Sequence, residues 1–267
     1  MTAKTADVGV DLYWLPLGAG GAFVRFNGRV YERLHAFVNH RPPLDLYHSA
    51  LEVTVPEGRF VIENSWPIPK ATGVSRGVTI EGPVGSRQLG RFQVFRYEVR
   101  RWYDGTIADA DEAVESPRRL SEDEGQARRV LAMTAHVPAF VWGRDELGIG
   151  EMWNSNSVIS WLLAISGLPA AEIHPPAGGR APGWATGLVA AELLTGTLET
   201  STAEQIALGT GAAVQDFSSM TNMVREHVPR QARRLWCRWR PRIRSAVAQC
   251  AQVRRNGYHR AEESTLM

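Results

Sequence analysis

Residues 46–63 constrain the fold of this chain more than any other segment. Residues 46–55 form a β-type run, a Pro56-Glu57-Gly58 turn follows, and residues 59–63 resume the same pattern. Two β-type segments joined by so short a turn predict a hairpin, and the two strands of a hairpin are antiparallel. The sheet that contains them is therefore predicted to be antiparallel at least in part.

The other segments extend this pattern to an α+β domain. Strands are predicted at residues 10–17, at 22–26 after a Gly18-Ala19-Gly20-Gly21 turn, and around 92–99. Helices are predicted over 28–39, from a Ser121-x-x-Glu124 capping box to Thr134, and over 154–166. Because strands and helices occur in clusters and not in strict βαβ alternation, we predict an α+β fold with an antiparallel sheet packed with helices. This domain is predicted to span residues 10–190.

Charge divides the chain into two parts. Residues 1–190 carry 19 basic and 21 acidic side chains, a net charge of 19 − 21 = −2, whereas residues 225–260 carry eleven arginines and the single acid Glu226, a net charge of 11 − 1 = +10. We therefore interpret residues 191–267 as a variable basic extension, helical or disordered. Because its arginines interleave with Trp236 and Trp239, it is predicted either to remain solvated or to contact nucleic acid or anionic membrane through residues 230–255.

Cysteine usage and hydropathy exclude several classes of function. Cys237 and Cys250 are the only cysteines, so the main domain contains none and cannot perform cysteine chemistry. No C-x-x-C pattern is present and the histidines are scattered, so we predict no metal site and no cofactor. The most apolar window, residues 158–168, is about half as long as a bilayer span, and the N-terminus has no apolar run. We expect a cytoplasmic protein with no integral membrane span.

Two segments carry residues typical of acyl-transfer chemistry. His48 is predicted near the start of a strand and Ser155 at the start of a helix, where free N–H groups and the positive end of the helix dipole would stabilise an oxyanion. A histidine on a neighbouring strand can accept the proton of a nucleophilic hydroxyl. Capping alone also accounts for the run at residues 154–157, because Ser and Asn are preferred N-caps. His48 is also compatible with a strand histidine bonded to backbone.

The order of these two segments resembles that of the circularly permuted papain-like hydrolases, which include relatives of lecithin retinol acyltransferase and the PPPDE peptidases. Residues 47–53, Tyr-His-Ser-Ala-Leu-Glu-Val, are similar to the histidine strand of that group, and residues 154–157 are similar to its Asn-Cys-x-x helix start. Residues 10–190 are also similar to an actinobacterial family that shares the Leu-Tyr-Trp-Leu-Pro-Leu-Gly-Ala-Gly-Gly start and the Trp-Asn-Ser-Asn-Ser segment. The resemblance implies a permuted papain-like fold and a hydrolase-like activity on an amide or ester.

The mechanism that we predict gives each residue of the site a role. Ser155 would attack, His48 would act as the base, and the backbone N–H groups of Ser155 and Asn156 would hold the oxyanion. Glu63 or Asn64 on the return strand would orient His48; spacing does not choose between them, and the mechanism as we predict it uses Glu63. The predicted substrate cleft is lined by Tyr47, Trp153 and Asn154, with core packing as the alternative for Trp153.

One departure from the papain-like pattern affects the predicted chemistry. Ser155 stands where that group has a cysteine, and a serine hydroxyl is a far weaker acid than a thiol of pKa about 8.5. Serine therefore needs a well-oriented base and a good oxyanion hole. The sequence leaves two functions open. One is a serine-dependent hydrolase or acyl transferase. The other is a catalytically inactive binding module on the same scaffold, which holds a peptide or acyl group.

Overall fold

The computed structural model describes residues 7–17, 42–67 and 77–195, together with residues 32, 36, 37 and 40. The chain divides into two compact units, Met1–Thr195 and Gly196–Met267, and every described residue lies in the first. The predicted strand at 22–26, the glycine-rich turn before it, most of the predicted helix over 28–39 and the basic segment 230–255 lie outside the described residues. The described ranges therefore cover most of the predicted main domain and, of the predicted extension, only residues 191–195.

Within the described ranges, seven β-strands form an antiparallel sheet with one short parallel addition. The strands are β1 (Gly9–Pro16), β2 (Asp45–Val55), β3 (Gly58–Ser65), β4 (Val78–Pro83), β5 (Arg96–Tyr103), β6 (Val114–Ser121) and β7 (Gly179–Arg180). Their order is β4-β5-β3-β2-β1-β6 with every neighbouring pair antiparallel, and β7 pairs in parallel with the start of β2. The predicted hairpin is the β2–β3 pair, and the α+β class with an antiparallel sheet is confirmed.

Three α-helices accompany the sheet in the described ranges: α1 (Glu124–Met133), α2 (Ser155–Ile165) and α3 (residues 184–195). The apolar residues of α2 recur at helical spacing, and its stripe of Val158, Ile159, Leu162 and Leu163 is fully buried. Burying one such side chain contributes about 1.5–3 kcal/mol. Gly167, at φ +82°, ends the helix in a Schellman motif, in which the N–H of Leu168 donates to the carbonyl of Leu163 at 3.0 Å.

The main sheet has two different sides, because successive residues of a strand point in opposite directions. We call the side that packs against α2 and α3 the helical side. It carries Trp14, whose ring lies 5.1 Å from that of Trp184 in α3. We call the opposite side the far side. It carries a smaller buried cluster of Leu15, Ala50, Val61 and Ile107.

The capping box predicted at Ser121 is wrong, although the helix it was predicted to open is present. Ser121 ends β6, where it pairs with Val10 of β1, and its hydroxyl accepts the N–H of Asp123 at 3.0 Å. Asp123 is the N-cap, and its Oδ1 accepts the N–H of Gln126 at 2.6 Å. The strand pairing keeps Ser121 extended, so the next capping residue along the chain starts the helix.

The strand predicted around residues 92–99 begins later than expected. β5 starts at Arg96, and two short 3-10 helices, Leu89–Arg91 and Gln93–Phe95, precede it. The N–H of Val84 donates to the carbonyl of Phe95 at 2.8 Å, so the residues between them connect β4 to β5. The chain needs this stretch to reverse direction, and Phe92 and Val94 consequently lie at the surface.

The end of α3 lies beyond the predicted domain boundary. The helix runs through residue 195, and Ala190, Ala191 and Leu194 are buried, so a boundary at 190 falls inside a packed helix. None of the helices in the described ranges is long and apolar enough to span a bilayer.

Candidate functional site

The start of α2 is capped by side chains of the predicted site. Asn154 Oδ1 accepts the N–H of Asn156 at 2.9 Å and that of Ser157 at 3.4 Å, while Ser157 Oγ accepts the N–H of Asn154 at 3.1 Å. This reciprocal capping box satisfies N–H groups that a helix start otherwise leaves unpaired. A capping role is therefore confirmed for Asn154 and Ser157.

The same side chains hold the segment that enters α3. Asn154 Nδ2 and Asn156 Nδ2 both donate to the carbonyl of Pro182, at 2.8 and 2.9 Å, and Ser157 Oγ donates to the carbonyl of Gly183 at 2.7 Å. Gly183 has φ +86°, and a Cβ there would lie 2.6 Å from Asn154 Oδ1. Glycine permits both the backbone angle and the close approach. Packing and capping thus account for three of the four residues in the Asn-Ser-Asn-Ser run.

Ser155 is the fourth residue of that run, and its polar groups remain unused. The residue is only 7% exposed, and neither its Oγ nor its N–H has a hydrogen-bond partner among the described residues. The N–H of Asn156 is already taken by Asn154 Oδ1. The predicted oxyanion hole therefore retains the Ser155 N–H but not that of Asn156.

Ser49, and not His48, faces the start of α2. Ser49 Oγ donates to Asn156 Oδ1 at 2.9 Å, and Asn156 Nδ2 donates to the carbonyl of Tyr47 at 3.0 Å. Because neighbouring strand residues point to opposite sides, His48 points to the far side. The structure does not bring His48 and Ser155 together, and their roles as base and nucleophile stay predictions that this geometry does not favour. The signal that would have identified Ser49 is its alternation with His48 along β2.

His48 is half-buried on the far side, among apolar neighbours. Its partner on β1 is Leu15, which belongs to the same buried cluster as Ala50 and Ile107. Burial lowers the pKa of His48 from 6.5 to about 4, and the nearby carboxylate of Asp109 opposes that shift. At neutral pH the imidazole is therefore uncharged, and it is a weaker proton acceptor than an ordinary histidine.

Glu63, the predicted orienting residue, is held by a buried arginine. Arg100, with 1% of its side chain exposed, donates through Nη1 to Glu63 Oε1 at 3.2 Å and through Nη2 to Glu98 Oε2 at 2.7 Å. No hydrogen bond joins Glu63 to His48 within the described residues. The carboxylate of Glu63 instead compensates a guanidinium that would be costly to bury alone.

Two residues of the predicted cleft belong to the core. Trp153 has no exposed surface, and its ring packs edge-on against Phe140 at 5.0 Å between centroids. Tyr47 is 7% exposed, and its ring packs so closely on Gly179 that a Cβ there would collide with it. Core packing, the alternative for Trp153, is confirmed. Neither ring forms the wall of an open cleft.

Asn64 is a second candidate residue whose side chain has no partner among the described residues. It is 9% exposed, and neither its Oδ1 nor its Nδ2 makes a hydrogen bond with a described residue. The pairing of β2 with β3 stops at Leu51 and Ile62, although both strands continue beyond these residues. Asp45 and Leu46 pair with β7, so we call the region between residues 47–50 of β2 and 63–65 of β3, where no described residues pair the two strands, the β2–β3 gap. Asn64 lies beside this gap and points to the helical side, because it alternates with Ile62, whose β2 partner Leu51 shares a side with Ser49.

No family model, curated protein or solved structure matches this chain.

Among the described residues, no group of three or more His, Cys, Asp or Glu side chains is arranged to hold a metal ion. Glu151 is a charged residue near the start of α2: it accepts the N–H of Gly183 at 2.9 Å and lies 3.6 Å from Arg180. Ser49, Asn154, Ser155, Asn156 and Ser157, which lie there too, are uncharged. These groups donate and accept hydrogen bonds, and none of them titrates near neutral pH.

Proposed function

We propose that this domain is a catalytically inactive binding module on a permuted papain-like scaffold, and that it holds an acyl or peptide group at the start of α2. The observation that carries the proposal is the hydrogen bond from Ser49 to Asn156. Because of this bond, the β2 residue that faces the start of α2 is Ser49. A serine-dependent hydrolase would need a proton acceptor such as a histidine at that position. The similarity of residues 47–53 and 154–157 to the papain-like segments supports the scaffold.

The placement of the candidate bases argues against a serine-dependent reaction. A hydroxyl nucleophile needs a proton acceptor at about 2.6–3.2 Å, oriented in turn by a third group. His48 points away from Ser155, and Glu63 binds Arg100. A site that retains a helix-start hydroxyl without its base is better suited to binding a carbonyl group than to attacking it.

The unused groups define the chemistry of the ligand. The hydroxyl and N–H of Ser155 can donate to a carbonyl oxygen, and the positive end of the helix dipole strengthens both bonds. The amide of Asn64 can donate and accept at once, which matches the N–H and C=O of a secondary amide. Leaving a buried amide unpaired costs about 1–3 kcal/mol. A ligand that pairs Asn64 would recover that cost, so we expect an amide-linked acyl or peptide group to be preferred over a plain hydrocarbon.

A fluorophosphonate probe tests the inactive character of the site. We expect no labelling of Ser155 in the wild type, so that wild type and Ser155→Ala give the same signal. Labelling that disappears in both Ser155→Ala and His48→Gln would contradict the proposal and establish the serine hydrolase instead.

Calorimetric titration with a model acyl amide, N-octanoylglycinamide, tests binding. We expect Ser155→Ala and Asn64→Leu each to weaken binding by about tenfold, since each removes hydrogen bonds to the ligand. Ser166→Ala is the matched control, because Ser166 caps the other end of α2 and its hydroxyl is likewise buried and unpaired. Equal affinities for all three variants, or no binding by the wild type, would refute this site.

We also propose that the chain beyond α3, residues 196–267, is a variable basic extension that contacts nucleic acid or anionic membrane through residues 230–255. The eleven arginines of residues 225–260 support this. Binding of the full chain to duplex DNA or to phosphatidylserine vesicles should fall steeply with salt. Because α3 continues to residue 195, the shortened chain used for comparison should end there and not at 190. Equal binding by the shortened chain would remove the extension from the proposal.

A further inference from the structure

Residues 89–95 form an exposed apolar tip at the turn of the β4–β5 hairpin. The two 3-10 helices of this tip contain no buried residue. Its four large apolar side chains remain accessible to solvent, at 37% for Leu89, 49% for Phe92, 71% for Val94 and 38% for Phe95. Single exposed apolar residues are common, but four within seven positions form a patch, and such patches mark contact surfaces.

The backbone of the tip is hydrogen-bonded within the hairpin. The N–H of Phe92 donates to the carbonyl of Leu89 at 2.9 Å, and that of Phe95 donates to the carbonyl of Phe92 at 3.0 Å. Arg96 Nε donates to the carbonyl of Gly90 at 2.7 Å, which closes the base of the tip. A segment can enter a low-polarity environment only if its backbone groups are paired, and this tip meets that condition at these positions.

The tip carries a positive charge that no described carboxylate neutralises. The guanidinium of Arg91 lies 4.8 Å from the centre of the Phe92 ring, and it forms no salt bridge with a described carboxylate. Arg87 and Arg96 flank the tip and are paired with Glu146 and Glu81, respectively. An arginine without a carboxylate partner that packs on an exposed aromatic ring can keep its charge in the headgroup layer while the ring lies deeper.

We propose that this tip inserts into the interfacial region of a membrane that contains anionic lipid. Leu89 and Val94 are aliphatic and cannot stack on bases, so nucleic acid would leave half of the patch unused. A single shallow anchor binds membranes weakly, and stable attachment takes a second signal such as a polybasic segment. This chain supplies one in residues 225–260, with eleven arginines. The apolar side chains of the tip complement the hydrocarbon of an anionic membrane, and the Arg91 guanidinium beside them complements its acidic headgroups.

The test is flotation of the full chain with vesicles of phosphatidylcholine and phosphatidylserine at a 70:30 ratio. Val94→Asp places a carboxylate in the tip and removes an apolar side chain. Val78→Asp makes the same change at an exposed valine on β4, at the other end of the same hairpin. We expect Val94→Asp to weaken the apparent affinity by about tenfold or more, and Val78→Asp to change it by less than about twofold. Phe92→Ser, which adds no charge, should also weaken binding by about tenfold.

The outcomes distinguish insertion of the tip from three alternatives: binding by the basic segment alone, self-association and nucleic-acid binding. If the basic segment alone bound the vesicles, Val94→Asp and Val78→Asp would behave alike, and the proposal would be overturned. Absence of vesicle binding by the wild type would also overturn it. Sedimentation velocity of each variant tests a second copy of the chain as occupant, and a loss of self-association without a loss of vesicle binding would assign the tip to that contact. An equal loss of duplex DNA binding in Val94→Asp would assign it to nucleic acid.

Discussion

The two sides of the sheet at β2 and β3 use polar residues in opposite ways. On the helical side, Ser49 and Asn156 form an uncharged network around the start of α2, with a 2.9 Å hydrogen bond between them. On the far side, Arg100 is buried with the carboxylates of Glu98 and Glu63. Uncharged groups can remain unpaired in a protein interior at moderate cost, whereas a buried charge requires a partner. The charged groups of the far side therefore need their ion-pair partners, whereas uncharged polar groups on the helical side can remain without a partner in the protein and be available to a ligand.

The contrast indicates which side can bind a ligand. On the far side, Arg100 is bound to both Glu63 and Glu98, so these charged groups are already engaged with one another. On the helical side, the side chains of Ser155, at the start of α2, and of Asn64, beside the β2–β3 gap, have no partner among the described residues. The predictions that follow test this difference between the buried ion-pair cluster of the far side and the uncharged hydrogen-bond network of Ser49 and Asn156 on the helical side.

The largest effect is expected for Arg100→Met. The substitution keeps most of the apolar stem but leaves Glu98 and Glu63 without the guanidinium that compensates them. Breaking a buried ion pair by removing one partner costs about 3–5 kcal/mol. The free energy of unfolding, measured in urea at pH 7, should fall by that amount. A loss below about 1 kcal/mol would show that the far side does not depend on this cluster.

Glu63→Gln is the matched control for that measurement. It removes one charge but keeps an acceptor within reach of Arg100 Nη1, and Glu98 remains at 2.7 Å from Nη2. We expect a smaller loss, of about 1 kcal/mol. A loss as large as that of Arg100→Met would indicate that the stabilisation by Arg100 depends on Glu63 and not on Glu98.

The second prediction concerns the pH dependence contributed by His48. Its pKa is lowered from 6.5 to about 4 in the folded protein because burial disfavours the charged ring. Above pH 6.5 the ring is neutral in both the folded and the unfolded state. Between about pH 6.5 and 4 the unfolded state binds a proton that the folded state rejects, so stability is lost as the pH falls. The loss should reach about 3 kcal/mol and then level off below the folded pKa.

His48→Gln isolates that contribution, because glutamine does not titrate. Urea denaturation at pH 7, 5.5 and 4 should give a shallower loss of stability for the variant than for the wild type. The difference between the two curves should grow as the pH falls from 6.5 to about 4. Parallel curves would mean that His48 is solvated and keeps an ordinary pKa.

Sequence patterns predicted the framework of this fold because its strands and helices follow local rules. The β2–β3 hairpin has a turn of the required residue types, and α2 combines a capping run with a regular apolar stripe. At residues 92–95 the predicted strand is wrong, because exposed Phe92 and Val94 imitate a buried β pattern. Nothing in the local sequence shows that a run of apolar residues faces solvent.

The candidate site was less predictable because it depends on which side of a strand each residue faces. His48 and Ser49 are neighbours, and a shift of one residue exchanges the side that each one faces. The interaction of Ser49 with Asn156 joins positions 107 residues apart, which local spacing cannot reveal. The β2–β3 gap, and the unpaired Asn64 beside it, are likewise products of how the strands diverge.

A third prediction compares two neighbouring residues on the helical side. Asn156→Ala removes hydrogen bonds to Ser49, to the carbonyl of Tyr47 and to that of Pro182. We expect a loss of about 2 kcal/mol in the free energy of unfolding, because buried acceptors are left unpaired. Ser155→Ala should change it by less than about 0.5 kcal/mol, because Ser155 Oγ has no partner among the described residues to lose. Similar losses in urea denaturation for both variants would contradict the assignment of Asn156 to structure and Ser155 to binding.

The last prediction concerns Asn64→Leu, which is expected to raise stability and not to lower it. Most substitutions in a protein core destabilise it, but Asn64 buries an amide whose two polar atoms have no partner among the described residues. Leucine has a similar shape and needs none, so the free energy of unfolding should rise by about 1 kcal/mol. Asn64→Ala is the control, since it also removes the amide but leaves a cavity and should destabilise. A loss of stability in Asn64→Leu would mean that the amide is hydrogen-bonded in solution. A gain in stability would mean that the chain retains asparagine here at the expense of stability, which is the trade-off expected of a residue that binds a ligand.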